Sequence, residues 1–189
     1  GFVRQVMDKQ ASQSAPVTPQ GPFPIARQGE LSHEVMRVFG FPFERGRLDT
    51  AHHPFSGGAD GDIRITTRYD ERDFMKSLMA VIHETGHALY EDGRPAHWRG
   101  QPVGNSRGMT LHESQSLLLE MQAARSEEFI RFILPTIQRL LGGTGAAWEV
   151  ENILRLYRRV EPGLVRVFAD EVTYPLHVIL RYRLEKAIL

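Results

Sequence analysis

The 189 residues contain no cysteine. That excludes disulfides and thiolate metal sites, so any metal here must be held by histidine and carboxylate, and it is compatible with a reducing cytoplasm. An excess of one charge is missing too. The 23 basic and 23 acidic residues cancel to a net charge of zero, and no long run of like charge occurs. Neither a nucleic-acid partner nor a membrane surface is therefore expected, since both need clustered basic side chains. No apolar stretch approaches the roughly 18 residues of a membrane-spanning helix, and the first residues lack a secretory-signal pattern. An initiator methionine is absent as well: the chain opens on Gly1-Phe2 and closes on Ala187-Ile188-Leu189 inside a helical pattern. The expectation is a piece of a longer protein. What is present is an apolar fraction of 41%, enough for one globular domain with a sizeable core.

The stretch Phe74–Asp92, FMKSLMAVIHETGHALYED, carries His83-Glu84-Thr85-Gly86-His87 at its centre. Phe74, Leu78, Val81, Ile82 and Leu89 recur at spacings of three and four, which predicts a helix. Asp70 and Asp73 stand where an N-cap and a first-turn carboxylate belong, and Gly93 where a helix stops. On a helix, residues i and i+4 point the same way. His83 and His87 can therefore offer two nitrogens to one Zn2+, with Glu84 beside them placed to take a proton from water. The competing reading is a surface helix that happens to carry two histidines. The longer metzincin pattern is excluded, because it needs Gly and His where Tyr90 and Gly93 stand, and His97 is not expected to be a ligand.

Before this helix, Phe2–Ala11 has helical character, and Pro16, Pro19, Pro22 and Pro24 mark an extended connector. Residues 1–25 are taken as helix end and connector, and 26–189 as a partial catalytic domain. Leu31–Phe39 reads as a short helix capped by Ser32, with His33 on its surface. Gly57, Gly58 and Gly61 mark a flexible turn. Asp62 to Tyr69 alternates and reads as a strand, with Ile63 and Ile65 on one face and Asp62, Arg64 and Thr66 on the other. A row of Asp, Arg and Thr is either the solvated face of an edge strand or part of a substrate cleft.

After the helix, Glu91–Asn105 is a loop rich in Gly and Pro. Ser106–Leu141 then reads as a second long helix, with Leu111, Leu118, Met121, Phe129, Phe132 and Ile133 on its apolar face and a kink near Pro135. Thr110-x-x-Glu113 matches a capping box. A catalytic zinc usually has three protein ligands, and Glu113, 26 residues after His87, competes with Glu120, Asp92 and Glu91 for the third place. Trp148–Tyr157 and Val172–Leu189 are further helices. Taken alone, Arg166 reads as a salt-bridged surface arginine and His177 as a core histidine.

Taken together, His53-Pro54-Phe55, Asp62-x-Arg64-x-Thr66, His83-Glu84-x-x-His87, His112-Glu113-Ser114-Gln115 and Val165-Arg166-x-x-Ala169-Asp170 resemble the M32 family of metallocarboxypeptidases. Five motifs in the family's order are far more specific than HExxH alone. They cover roughly residues 25–189 here, the central portion of a family member. The family's C-terminal part, with further substrate-binding residues and a tyrosine that stabilises the transition state, is not among them. The resemblance implies a mainly α fold like the neurolysin-type gluzincins, with a small β-sheet beside the active-site cleft. It implies Glu113 as the third metal ligand, against the capping box, and zinc that cobalt can replace. It further implies a cytoplasmic homodimer that removes single C-terminal residues from peptides with broad specificity, generally excluding proline.

In that frame Glu84 is the general base. Arg64 and Arg166 are candidates to grip the free terminal carboxylate, because a guanidinium binds a carboxylate bidentately. Asp62 would buttress Arg64, and His53 would line the cleft. Asp170 or Glu171 would hydrogen-bond the outer nitrogen of a ligand histidine. Two other readings stand: a gluzincin endopeptidase or aminopeptidase lacking the carboxylate clamp, and a fragment that binds metal without turnover.

Overall fold

The computed structural model describes residues 1–59, 61–166 and 169–189. Its frame is set by helices, with one small sheet. Helix α1 spans Phe2–Ala11, α2 spans Ile25–Val38 and α3 spans Phe74–Asp92. Strands β1, β2 and β3 occupy Gly46–Thr50, Phe55–Ala59 and Asp62–Thr67. Helix α4 spans Met109–Leu117 and runs on as a π-helical turn over Leu118–Ala123. Helices α5, α6 and α7 are Glu127–Leu141, Val150–Tyr157 and Tyr174–Ile188.

Helix α3 covers the stretch its pattern predicts, but its cap lies three residues beyond Asp70, the residue expected there. Asp73 is the N-cap, its carboxylate accepting from the amides of Met75 and Lys76. Asp70 stays outside the helix and pairs with Arg72. Helix α2 differs from expectation: it starts at Ile25, after Pro24, and Ser32 lies buried inside it, donating to the Gln28 carbonyl at 2.9 Å. The reason is Gln28 itself. This buried amide donates to the carbonyls of Phe23 (2.8 Å) and Asp70 (2.9 Å) and accepts the Ser77 hydroxyl (2.8 Å), so it clamps the connector and the approach to α3 onto one helix. That tertiary network extends the helix backwards past the local cap signal.

The sheet has the order β1-β3-β2, with β1 parallel and β2 antiparallel to β3. Ile63 and Ile65 turn inward and cluster with Val81 and Ala88 of α3 and with Met36 and Phe41. Strand alternation puts Asp62, Arg64 and Thr66 on the opposite face. Gly57 and Gly58 belong to β2 rather than to a turn. Gly58 has φ +130°, and a Cβ there would stand 1.9 Å from the Asp62 carbonyl oxygen, so the hairpin closes only around glycine.

The larger core joins α2, α3, α5 and α6. Phe74 stacks on Trp148 at 5.5 Å, and Phe23 meets Phe74 edge-on at 5.0 Å. The segment expected as one helix from Ser106 to Leu141 is broken at Ala124–Ser126. Ser126 caps a new helix by accepting from the Phe129 amide, and Glu127 and Glu128 fill its first turn. Pro135 lies inside α5 and does not end it. Helix α7 buries none of its residues: Leu176, Val178, Ile179, Leu180, Tyr182 and Leu184 are all exposed. His177 is partly exposed there rather than in the core. Among the described residues, no helix is long and apolar enough to cross a membrane.

Candidate metal centre

Helix α3 presents His83 and His87 one turn apart, and α4 lays Glu113 across them. Glu113 Oε2 lies 3.2 Å from His87 Nε2 and 3.6 Å from His83 Nε2. One ligand atom from each of the three residues falls within 4.8 Å of the others, a single cluster that two nitrogens and one oxygen can close around an ion. The two helices come this close because of Gly86. A Cβ there would stand 2.6 Å from Ser116 Cα and 2.8 Å from the Gln115 carbonyl oxygen. Gly86, at an unspecified position of the H-E-x-x-H pattern, is thus the seat on which α4 rests.

The capping box that Thr110-x-x-Glu113 matches does not form, in line with what the resemblance implies for Glu113. Helix α4 begins after Gly108, whose φ is +91°, without a side-chain cap, and the Glu113 carboxylate turns to the histidines instead. The rival carboxylates have other partners. Asp92 pairs with Arg45 at 2.7 Å. Glu91 pairs with Arg94 at 2.7 Å and with His112 at 2.8 Å. Glu120 accepts from His83 Nδ1 at 2.8 Å and is itself bonded by Arg125 at 2.8 Å.

These contacts settle what the outer nitrogens of the histidines meet. His83 Nδ1 has Glu120. His87 Nδ1 lies 2.6 Å from Nδ1 of His112, whose Nε2 lies 2.8 Å from Glu91. Nε2 of His112 donates to Glu91, so its Nδ1 can accept from Nδ1 of His87, which leaves Nε2 of His87 on the side of Glu113. Asp170 and Glu171, expected in this role, are occupied elsewhere. Asp170 accepts from the amides of Glu161, Val172 and Thr173 and from the Thr173 hydroxyl, which shapes the turn into α7. Glu171 accepts from Gln122. No local pattern marks Glu120 or His112 as partners. The one available signal is that Glu120 follows Glu113 by seven residues, two turns along the same helical face.

Charge follows the geometry. Burial pulls the His83 imidazolium down, but Glu113 and Glu120 on its two nitrogens outweigh it and push the group up to about 10 in the metal-free chain. The hydrogen bonds from His83 and His87 hold the Glu113 carboxyl far below the usual range. Glu84 is buried, and burial raises its pKa, the direction a general base requires.

Of the two arginines, only Arg166 reaches this cluster. Its Nη1 donates to Tyr174 Oη at 2.7 Å and lies 3.9 Å from Glu113 Oε1. It is no plain surface arginine. Arg64 and Asp62 form a bidentate pair at 2.7 Å on the outer face of the sheet, both about half exposed, while Ile63 and Ile65 face α3. The His53 carbonyl accepts the Thr66 hydroxyl at 2.9 Å, and the residue is exposed beside them. No motif marks Tyr174, yet it is the residue that joins Arg166 to Glu113.

Comparison with known proteins gives a consistent result. The family model for carboxypeptidase Taq (M32) metallopeptidases matches residues 2–189. Carboxypeptidase 1 of Bacillus subtilis is 40% identical over 167 residues, 88% of this chain and 33% of that protein. The structure of Trypanosoma cruzi metallocarboxypeptidase 1 superposes with a TM-score of 0.94 at 44% identity, over 98% of this chain and 38% of that one. An M32 carboxypeptidase from Deinococcus radiodurans gives 0.89 at 37% identity, over 97% of this chain and 38% of that one. The chain therefore spans about a third of the length of its curated relatives. Five motifs, a His-His-Glu cluster and a family match along nearly the whole chain agree: the chain belongs to the carboxypeptidase Taq (M32) family of metallopeptidases.

Proposed function

We propose that the protein to which this chain belongs is a zinc-dependent carboxypeptidase that removes single C-terminal residues from peptides with broad specificity. The observation that carries this reading is the convergence of His83 Nε2, His87 Nε2 and Glu113 Oε2 beside the buried Glu84. Two imidazoles and a carboxylate, each with an outer partner, suit Zn2+, and cobalt would fit the same donors. An ion held by these three residues would supply Lewis acidity and a more acidic water. Glu84 takes the proton from the attacking water and hands it to the leaving amine. Arg166, next to Glu113, grips the terminal carboxylate of the peptide. Arg64, buttressed by Asp62, and His53 form the sheet wall along which the peptide lies. A cytoplasmic homodimer completes this reading, as the family resemblance implies.

Glu84→Gln in the full-length protein is the direct test. Turnover of a blocked dipeptide with a free C-terminus should fall by about 10²-fold or more while one zinc per chain remains bound. Full activity in that variant would sink the mechanism. The nearest rival, an endopeptidase with the same metal site, is separated by amidating the peptide C-terminus, which blocks a carboxypeptidase and leaves an endopeptidase unaffected.

A further inference from the structure

The two oxygens of Glu113 face different partners. Oε2 faces the two histidine nitrogens and accepts the Ser116 hydroxyl at 3.2 Å. Oε1 accepts the Tyr174 phenol at 2.9 Å. The Tyr174 oxygen in turn accepts from Arg166 Nη1 at 2.7 Å, and the guanidinium carbon lies 5.5 Å from the centre of the tyrosine ring. An arginine only donates, so the single phenolic proton is committed to Glu113. The Asp170 turn places this residue: the Tyr174 amide donates to the Asp170 carbonyl at 2.8 Å, while the Asp170 carboxylate holds Val172 and Thr173. The arginine and the aspartate of the Arg166-x-x-x-Asp170 motif thus act on the same tyrosine, one directly and one through the backbone.

We propose that Tyr174 is a positioning residue with two duties. It reserves Oε1 of Glu113 and so keeps that carboxylate a one-oxygen ligand through Oε2, and it fixes the guanidinium of Arg166 for the peptide carboxylate. The second duty rests on the reading of Arg166 as the carboxylate clamp; the first does not. Removing the phenol lets Oε1 swing toward the ion and releases the arginine from its acceptor.

The test is Tyr174→Phe in the full-length protein, which keeps the ring and loses only the hydroxyl. Three readouts are taken: the visible spectrum of the Co2+-loaded protein, zinc affinity by chelator competition, and KM and kcat on a free-acid peptide. The expected result is a shifted Co2+ spectrum, an affinity lower by about tenfold, and a KM higher by a similar factor with a smaller change in kcat. The melting temperature of the metal-free variant, close to that of the parent, separates this from a folding defect. An unchanged spectrum and affinity would overturn the first duty. A changed spectrum with unchanged KM would overturn the second; if Arg166→Lys also left KM unchanged, the clamp reading would fall with it and the metal arm would stand.

Discussion

Replacing Gly86 by alanine tests the seat on which the metal centre is built. At most exposed helical positions this change would stabilise the fold by about 1 kcal/mol through helix propensity. Here the new Cβ would stand 2.6 Å from Ser116 Cα, 2.8 Å from the Gln115 carbonyl oxygen and 3.0 Å from the Ser116 amide nitrogen, against 3.4–4 Å for ordinary contact. All three atoms are backbone, so no rotamer change relieves the clash, and α4 must retreat from α3 by about 1 Å. Overpacking of this kind costs up to about 3 kcal/mol. With the propensity gain set against it, the net loss is about 2 kcal/mol, or about 4–8 °C in melting temperature for a domain this size. The same retreat carries Glu113, three residues before Ser116, away from the histidines. Metal sites tolerate only about 0.2 Å in ligand distance, so zinc affinity should fall by at least tenfold. Thermal unfolding by circular dichroism and zinc competition with a chromophoric chelator measure the two effects. A Gly86→Ala chain as stable as the parent, with unchanged zinc affinity, would refute the close crossing of α3 and α4.

Further outcomes follow from the same geometry. Because His83 in the metal-free chain holds its proton up to about 10, zinc uptake at pH 7.5 should release about one proton from it; calorimetry in buffers of different ionisation enthalpy counts it. The raised pKa also means that His83 stabilises the metal-free fold fully below pH 6.5 and loses that contribution as pH rises toward 10, while apparent zinc affinity climbs over the same range. Glu120→Gln should weaken zinc binding by about 10-fold or more through His83, whereas Glu171→Gln should leave it unchanged; equal effects of the two would contradict the assignment of Glu120. Trp148→Ala, which empties the ring stacked on Phe74, should cost about 3–5 kcal/mol, read as a drop of about 10 °C in melting temperature, with no change in the zinc stoichiometry of the folded chain.

The sequence by itself determined the elements whose cause is local. Helix α3 has its apolar spacing and its end within twenty residues, so its extent and the shared direction of His83 and His87 were legible, although the cap is Asp73 and not Asp70. The alternation of Asp62–Thr67 likewise separated Ile63 and Ile65 from Arg64 before any partner strand was known. Strands β1 and β2 were not legible, because Gly46–Thr50 and the glycines of Phe55–Ala59 become strands only by pairing with β3. The tertiary structure alone decided the rest of the site. Whether Glu113 caps its own helix or faces the histidines depends on how closely α4 crosses α3, and that distance is set by the missing side chain of Gly86. Asp170 looked like a histidine partner because its charge suits one, yet the turn into α7 uses both of its oxygens. Glu120, His112 and Tyr174 meet the candidate ligands from 37, 25 and 61 positions away. A pattern of three or four residues encodes the direction of a side chain along its own helix; what that side chain meets is fixed only when the helices pack.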